Sequence, residues 1–324
     1  MKYKSIPEAF RRAAVEFAGA NAVKLPDKIF SFREIDEASE RIGAALAAKG
    51  IVKNDRIALY CANGPEFAIA YMGILKAGAT VVPVNLLLSP SEVNYILNDA
   101  GVKALFYHQV LAEKTAEARA GLAGLNLGIA IGNNTAAPGD VVFGDLLAFE
   151  AEVPEIDVDP AEDVAAILYT SGTTGYPKGA QLTHRNLLAD TASVQQALRL
   201  KAREDVLLVV LPMFHSFAAT VGMLTPLLHG LSFAPVPRFD PGLVVDHIEA
   251  TGATVFLGVP SMYALYLKLP GEQVNRWRSV RFCISGGAAL PVAVLRGFEA
   301  RFGLPVLEGD GPTECGPVTC VNPR

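Results

Sequence analysis

Stretches with helical periodicity alternate with short apolar runs along most of the chain. Near the N-terminus, Ser31 followed by Glu34 predicts the capped start of a helix that Gly50 ends, and the apolar run 56–61 predicts a buried strand after it. Because parallel strands need a crossover connection, usually a helix, this alternation predicts an α/β fold of βαβ units with mostly parallel sheets. The same patterns predict strands at 80–84, 104–107, 164–169, 206–211, 254–259, 280–285 and 306–307, and helices at 66–76, 186–200, 217–229, from 240–241 onward and at 291–302.

The segment 132–159 interrupts this alternation. It is rich in Asn, Pro, Gly, Asp and Glu and has little periodicity apart from a possible strand near Val141. We therefore expect two successive subdomains, a first α/β subdomain at 1–159 and a second at 160–324. Residues 319–324 carry no helix cap and no closing helix, so we expect the chain to end inside a domain.

Charge and cysteine content argue against several classes of protein. The chain has 28 basic and 33 acidic residues, a net charge of -5, and nucleic-acid binding needs clustered positive charge. Its four cysteines lack the paired spacing of a zinc site. No signal peptide and no apolar run of about 18 residues is present, so we expect a cytoplasmic protein without a membrane span. The oligomeric state stays open.

A glycine- and hydroxyl-rich loop follows the predicted strand at 164–169. Its sequence from Tyr169 is YTSGTTGYPKG, in which glycines allow tight turns and hydroxyls and free N–H groups can surround phosphate oxygens. Lys178 adds a compact positive charge. The spacing differs from a Walker A loop. A flexible surface loop is the alternative, but this order of residues directly after a buried strand favours phosphate binding.

Four other segments combine small or polar residues with a strand end. Residues 309–314, GDGPTE, offer the Thr313 hydroxyl and the Glu314 carboxylate, an oxygen ligand suited to Mg²⁺. Residues 285–290, SGGAAL, allow a flat ring to lie against the backbone. His215 lies in LPMFHSF at 211–217, and GVPS occupies 258–261. Turns, helix–sheet packing and a structural histidine are the alternative interpretations of these segments.

Together these segments resemble the superfamily of acyl-CoA synthetases, peptide-synthetase adenylation domains and luciferases. The resemblance extends over nearly the whole chain and includes GILKAGATVVP at 73–83. It implies an N-terminal part of an adenylate-forming enzyme, with ATP, Mg²⁺ and coenzyme A as cofactors or co-substrates. The residues that it assigns to ATP binding are Thr170, Ser171, Gly172, Thr173, Thr174, Gly175, Lys178, Gly287, Ala288, Ala289, Glu308, Gly309, Asp310, Gly311 and Thr313.

The resemblance also implies roles in catalysis. Lys178, His215, Thr313 and Glu314 are the implied catalytic residues, and Thr170 and Glu314 the implied metal ligands. An acid substrate is expected to lie near His215, Gly222, Thr225, Gly258 and Gly286. Asp310 departs from the family, which usually has an aromatic residue there to stack on adenine. A carboxylate at this position could instead accept a hydrogen bond from the adenine amino group.

The implied reaction joins a carboxylic acid, for which we favour a fatty acid, to AMP and then to coenzyme A. The alternatives are a ligase for an aryl or short-chain acid, a fatty acyl-AMP ligase or carrier-loading adenylation domain with a different acceptor, and a non-catalytic nucleotide-binding module. The family's C-terminal lid domain, which carries a catalytic Lys, cannot be placed in this sequence. We therefore expect this chain to bind nucleotide but to turn over poorly or not at all.

Overall fold

The computed structural model describes residues 3–133, 135–171 and 175–322. Its helices are α1 (Ile6–Glu16), α2 (Phe32–Ala48), α3 (Pro65–Lys76), α4 (Pro90–Asp99), α5 (Ala112–Ala118), α6 (Phe143–Leu147), α7 (His184–Ala197), α8 (Thr225–His229), α9 (Pro241–Thr251), α10 (Pro260–Tyr266), α11 (Gly271–Val274) and α12 (Val292–Phe302). None of the helices in this described part has the length and apolarity that crossing a bilayer requires.

The strands confirm the predicted α/β class. They are β1 (Asn21–Lys24), β2 (Ile29–Ser31), β3 (Arg56–Tyr60), β4 (Thr80–Pro83), β5 (Val102–His108), β6 (Leu127–Ile131), β7 (Val141–Val142), β8 (Val164–Thr170), β9 (Lys178–Thr183), β10 (Val206–Val209), β11 (Ser232–Pro235), β12 (Val255–Gly258), β13 (Phe282–Ser285), β14 (Val306–Asp310) and β15 (Cys320–Val321).

The chain divides into two compact units, each assembled from two segments. The first unit comprises Met1–Arg11 and Glu34–Leu187, and the second comprises Arg12–Arg33 and Leu188–Arg324. This division differs from the boundary expected after residue 159. The reason is strand pairing, because β8 and β9 add to the sheet that contains β4, whereas β1 and β2 add to the sheet that contains β11.

The sheet of the first unit has the order β7-β6-β5-β3-β4-β8-β9 within the described residues. All neighbouring pairs are parallel except β8 and β9, which form an antiparallel hairpin. The central strands are continuous apolar runs, as expected for strands that are covered on both faces. Ile57, Val81 and Leu105, for example, are fully buried.

The sheet of the second unit has the order β15-β14-β13-β12-β10-β11-β1-β2 within the described residues. Its strands from β14 to β1 run parallel, and the two outermost strands, β15 and β2, are antiparallel to their neighbours. The carboxyl ends of β13 and β14 therefore lie side by side, with Ser285 paired to Glu308. Ligands of open parallel sheets bind at this edge.

The helix predicted at 217–229 is present but is wound in two ways. Residues Ala218–Leu224 form a π-helix, and α8 continues from Thr225. The hydroxyl of Thr225 donates to the carbonyl of Thr220 at 2.8 Å, five residues back, which stabilises the wider turn. A π-helical segment of this kind often occurs at a functional site.

Candidate functional site

The residues expected to bind ATP divide between the two units. Those from Thr170 to Lys178 belong to the first unit, and those from His215 to Glu314 belong to the second.

The glycine- and hydroxyl-rich loop is the tip of the β8–β9 hairpin. Thr170 and Lys178 are direct cross-strand partners, so two of the expected site residues flank the loop. Gly175 has φ +103, which favours glycine, and an added Cβ there would meet no atom within 4 Å. Ser171 is exposed. Gly172, Thr173 and Thr174 lie outside the described residues.

Helix α4 supports the second half of this loop. The hydroxyl of Tyr95 donates to the carbonyl oxygen of Pro177 at 3.3 Å, and its ring stacks on Tyr176 with centroids 5.3 Å apart. One turn further along α4, Asp99 accepts a 2.6 Å hydrogen bond from Tyr169 at the end of β8. Sequence analysis missed these contacts, because nothing local connects α4 with a loop some 80 residues away.

A groove of about 550 Å³ crosses the carboxyl ends of β13 and β14. Ala288, Ala289, Glu308, Gly309 and Asp310, all expected to bind ATP, line it together with Cys320, Val321 and Asn322. Glu308 holds one wall in place, since its Oε1 accepts a 2.9 Å hydrogen bond from the N–H of Leu290. Among these described lining residues there is no aromatic ring, so the groove offers small residues and two carboxylates, Glu308 and Asp310.

The backbone around Asp310 is fixed while its side chain stays exposed. Its carbonyl oxygen accepts hydrogen bonds from the N–H and the hydroxyl of Thr319, both at 2.9 Å. The next residue, Gly311, has no room for a side chain, because a Cβ would lie 2.3 Å from the carbonyl oxygen of Pro317. The turn after β14 is therefore tightly constrained.

A second cavity, of about 250 Å³, lies beside the groove in the same unit. Gly309 and Val321 line both spaces. Its polar side chains are His215, Ser216 and Thr313, and the hydroxyls of Ser216 and Thr313 are 3.1 Å apart. The described residues that line it are Val194, Leu198, His215, Ser216, Phe217, Val221, Ile284, Gly286, Gly287, Gly309, Gly311, Pro312, Thr313, Pro317, Val318 and Val321.

His215 lies at the wall of this cavity. The residue as a whole is exposed, yet the atoms around the imidazole desolvate it enough to lower its pKa below the usual value. A neutral imidazole can donate one N–H to a carboxylate without introducing a charge. This property suits a residue that orients an acid.

Three residues expected to line an acid pocket lie elsewhere in the core. An added Cβ at Gly222 would approach Val209 to 2.8 Å, so this glycine permits close packing of the π-helix on the sheet. Thr225 is fully buried and bonds within its own helix. Gly258 packs on Phe256 and Tyr263. Of the expected acid-binding residues, His215 and Gly286 line the cavity.

Asp190, on α7, is a buried acid that sequence analysis missed. It is 8% exposed, and its Oδ2 has no hydrogen-bond partner among the described residues. Burial raises the pKa of Asp190 to about 6, and the backbone N–H of Val318 offsets part of the rise. It also lies against Gly316. The carboxylate therefore adjoins the segment 316–318, which contributes Pro317 and Val318 to the cavity wall.

The donor set fits a magnesium ion that arrives with a nucleotide. Glu314 is exposed on the short 3₁₀ turn Thr313–Cys315. Among the described residues, no three His, Cys, Asp or Glu side chains gather where they could hold a metal by themselves. Mg²⁺ commonly uses one or two carboxylates and completes its ligand shell with phosphates and water, so a single exposed carboxylate is suitable.

Known proteins resemble this chain over nearly its whole length. The profile described as AMP-binding enzyme matches residues 10–324. The long-chain-fatty-acid–CoA ligase of Bacillus subtilis strain 168 is 29% identical over 344 residues, which cover 98% of this chain and 61% of that protein. The chain therefore spans about three fifths of the length of this relative.

Two solved structures share the fold. The anthranilate CoA ligase AuaEII in complex with anthranoyl-AMP superimposes with a TM-score of 0.93 at 26% identity, covering 99% of this chain and 62% of that one. The N-terminal domain of FACL13 from Mycobacterium tuberculosis gives 0.87 at 27% identity, covering 97% and 78%. By its sequence profile and by its mostly parallel α/β architecture, the chain belongs to the AMP-binding enzyme family.

Proposed function

We propose that this chain activates a carboxylic acid with ATP to an acyl-adenylate, which then reacts with coenzyme A. The observation that carries this proposal is the adjacency of two spaces in the second unit. A groove with small walls and two carboxylates, Glu308 and Asp310, shares Gly309 and Val321 with an apolar cavity that carries three uncharged polar side chains. This arrangement suits a nucleotide in the groove and an acid in the cavity, with their reactive ends near the shared wall.

The first step joins the acid to AMP. A carboxylate oxygen of the acid bonds to the α-phosphorus of ATP while the bond from that phosphorus to pyrophosphate breaks. The hydroxyl of Thr313 is suited to donate to the α-phosphate, and the neutral imidazole of His215 to orient the carboxylate. Lys178, at the base of the hairpin loop, supplies positive charge to the polyphosphate.

Glu314, together with the Thr170 hydroxyl that the resemblance implies, would hold a magnesium ion, and the bound ion would neutralise phosphate charge. The chain's own residues need no covalent nucleophile for this step. Their task is to place two anions against each other and to exclude competing water.

The second step forms the thioester. The sulfur of coenzyme A bonds to the acyl carbon, and the bond from that carbon to AMP breaks. The relatives described above are named as CoA ligases, which supports coenzyme A over a carrier protein as acceptor. Their acids differ, one a long-chain fatty acid and one anthranilate, so similarity to these relatives does not identify the acid that this chain uses. The apolar cavity supports an acid with an apolar tail, in agreement with our expectation of a fatty acid.

Nucleotide binding by the 324-residue chain tests the proposal without requiring turnover. We expect calorimetry to detect ATP binding that depends on Mg²⁺, and we expect Glu314→Gln to weaken that dependence by about tenfold or more. Glu272→Gln, an exposed change on α11, is the matched control and should leave binding unchanged. Equal Mg²⁺ dependence in both variants would contradict the metal role of Glu314, and no ATP binding by the unmodified chain would contradict the proposed function.

A further inference from the structure

Four aliphatic side chains form part of the cavity wall. Val194 and Leu198 come from α7, Val221 from the π-helix and Ile284 from β13. Each is at most 6% exposed, so protein packs behind it as well as beside it. A ligand could extend past these side chains only by displacing core atoms, which close-packed interiors resist.

The π-helix makes the Val221 wall particularly rigid. The next residue, Gly222, lies so close to the sheet that even a Cβ would approach Val209 to 2.8 Å and Leu257 to 3.2 Å. The backbone of this helix thus has no space to withdraw toward β10 and β12. Val221 is consequently held at a fixed distance from the opposite wall.

The size of the cavity limits the tail of the acid. An engineered apolar cavity of about 150 Å³ holds one benzene molecule. The present cavity, at about 250 Å³, therefore has space for one ring with a short substituent or for an aliphatic tail of comparable volume. A long fatty acyl chain exceeds this volume.

The lining also limits the charge of the tail. Among the described residues that line the cavity there is no Asp, Glu, Lys or Arg, and the polar side chains are His215, Ser216 and Thr313. A second ionised group on the substrate would lose its water without gaining an opposite charge, which is strongly unfavourable. Sulfonated and dicarboxylic acids are disfavoured for this reason.

We infer that the substrate is a compact monocarboxylic acid with an uncharged apolar tail, of about the size of a single-ring aromatic acid or a medium-chain aliphatic acid. This inference rests on the proposed function and narrows our expectation of a fatty acid by excluding long chains. Val194, Leu198, Val221 and Ile284 set the limit, and Val221, on the rigid π-helix, is the residue most suited to change it.

Binding of non-hydrolysable acyl-AMP analogues to the 324-residue chain tests the inference by calorimetry. The panel comprises acetyl, hexanoyl, benzoyl, hexadecanoyl and sulfoacetyl analogues. We expect the benzoyl or the hexanoyl analogue, or both, to bind at least about tenfold more tightly than the acetyl, hexadecanoyl and sulfoacetyl analogues, since a single misfitted or missing group is worth about tenfold or more. Whichever of the two binds more tightly identifies an aromatic or an aliphatic tail.

Substitutions at Val221 in the aliphatic wall make the test more specific. Val221→Phe should fill the cavity, which weakens binding of the benzoyl analogue by about tenfold and leaves the affinity for the acetyl analogue unchanged. Val221→Ala should increase the affinity for the hexadecanoyl analogue relative to that for the benzoyl analogue. Val244→Ala removes the same atoms from a fully buried valine on α9 outside the cavity, and it should leave the order of affinities unchanged. Thermal melts of all variants identify any that fail to fold. If Val221→Phe fails to fold, Val221→Ala by itself tests the inference.

The possible failures are distinguishable. Hexadecanoyl binding as tight as benzoyl, or equal affinity across the whole panel, would overturn the size limit and leave the proposed function standing. Tight sulfoacetyl binding would overturn the limit on charge. Absence of binding by every analogue would overturn the proposed function and this inference with it.

Discussion

Each of the two units contains a buried charged group, and the two groups differ in whether an opposite charge lies beside them. In the first unit, the ammonium of Lys76 is fully buried and lies 2.6 Å from Asp36 and 2.9 Å from Glu40. Glu40 in turn accepts a 2.6 Å hydrogen bond from Arg11, and the ring of Phe10 lies 5.5 Å from the ammonium. Helices α1, α2 and α3 are thereby connected by one network of opposite charges.

In the second unit, Asp190 is buried and forms no ion pair with any residue that the structure describes. Burial raises its pKa to about 6, and its Oδ2 has no hydrogen-bond partner among the described residues. The same unit does satisfy a buried carboxylate elsewhere, since Asp205 bonds to Arg281 at 2.6 Å and to Thr254 at 2.8 Å. The unmatched charge occurs beside the cavity wall, where structure often retains an unfavourable group for function.

The difference separates a charge that supports the fold from one that destabilises it. Removing a member of the Lys76 network leaves carboxylates without their partner, whereas neutralising Asp190 relieves a cost. Opposite signs of the stability change are therefore expected from the two regions, and the following changes examine that contrast.

Lys76→Met should produce the largest effect. It keeps the apolar stem but leaves Asp36 and Glu40 without the ammonium, and breaking a buried pair in this way costs about 3–5 kcal/mol. Urea unfolding followed by circular dichroism measures the loss. Lys53→Met, which removes a partly exposed pair with Asp163 at 2.7 Å, is the control and should cost at most about 1 kcal/mol. Similar losses for both variants would mean that burial does not strengthen the Lys76 network.

Acid should destabilise the first unit through His184. Burial lowers the pKa of His184 to about 4, and its Nδ1 accepts a hydrogen bond from the N–H of Ile6 at 3.2 Å. The unfolded chain, with an ordinary pKa of 6.5, takes up the proton first, so stability is present above pH 6.5 and falls as the pH drops toward about 4. The loss amounts to about 3 kcal/mol.

Unfolding free energies measured at several pH values check this prediction. His184→Asn keeps an acceptor for Ile6 and removes the titration, so its stability should decline less between pH 6.5 and 4. A decline as steep as that of the unmodified chain would assign the pH dependence to other groups.

Asp190→Asn should have the opposite sign. Because the pKa of Asp190 is raised, its contribution is most favourable below pH 3.8 and is lost as the pH rises through about 6, so the ionised group is a cost at neutral pH. The amide removes the charge, and we expect a gain of about 1–2 kcal/mol at pH 7, less than the full linkage energy because an amide is then buried. Two results would each contradict an unpaired buried charge: no gain in stability at pH 7, or a gain at pH 4 as large as the gain at pH 7.

Asp205→Asn is the matched comparison within the same unit. Its carboxylate is paired with Arg281, so neutralising it should destabilise the protein instead. Stabilisation by both asparagine variants would remove the distinction between the two carboxylates.

Tyr95→Phe should have the smallest effect on stability. It removes the hydroxyl that donates to Pro177 but keeps the ring that stacks on Tyr176, so the cost is about 1 kcal/mol or less. The larger consequence should be in ATP affinity, since the hairpin loop loses an anchor. Tyr95→Ala removes both contacts and should weaken ATP binding further, and equal ATP affinity in all three proteins would show that α4 does not order the loop.

Most regular elements were predictable because their patterns are local. The buried run at 56–60, the Asp240 cap before Pro241 and the helix at 292–302 each depend on neighbours in the sequence, and the structure confirms them. The hairpin partner β9 was missed, since its residues 178–183 show no strong alternation and are fixed by pairing with β8. The same is true of β1 and β2, whose place in the second sheet depends on β11.

The site was partly predictable for the same reason. Motif residues such as Glu308, Asp310, His215 and Thr313 line the groove or the cavity as expected of neighbours at strand ends. Gly222, Thr225 and Gly258 line neither the groove nor the cavity, because small residues in a motif serve close packing as readily as ligand contact. Asp190 carried no local signal at all.

The sequence by itself determined the α/β class and the family, since these depend on periodicity and short motifs. Only the tertiary structure decided that strands distant in the chain share a sheet, that residues 218–224 wind as a π-helix, and that Val194 and Leu198 line the same cavity as Ile284 of β13. These features arise from contacts between residues far apart in the chain, whose free energies depend on packing of the whole unit and leave no pattern in any single segment.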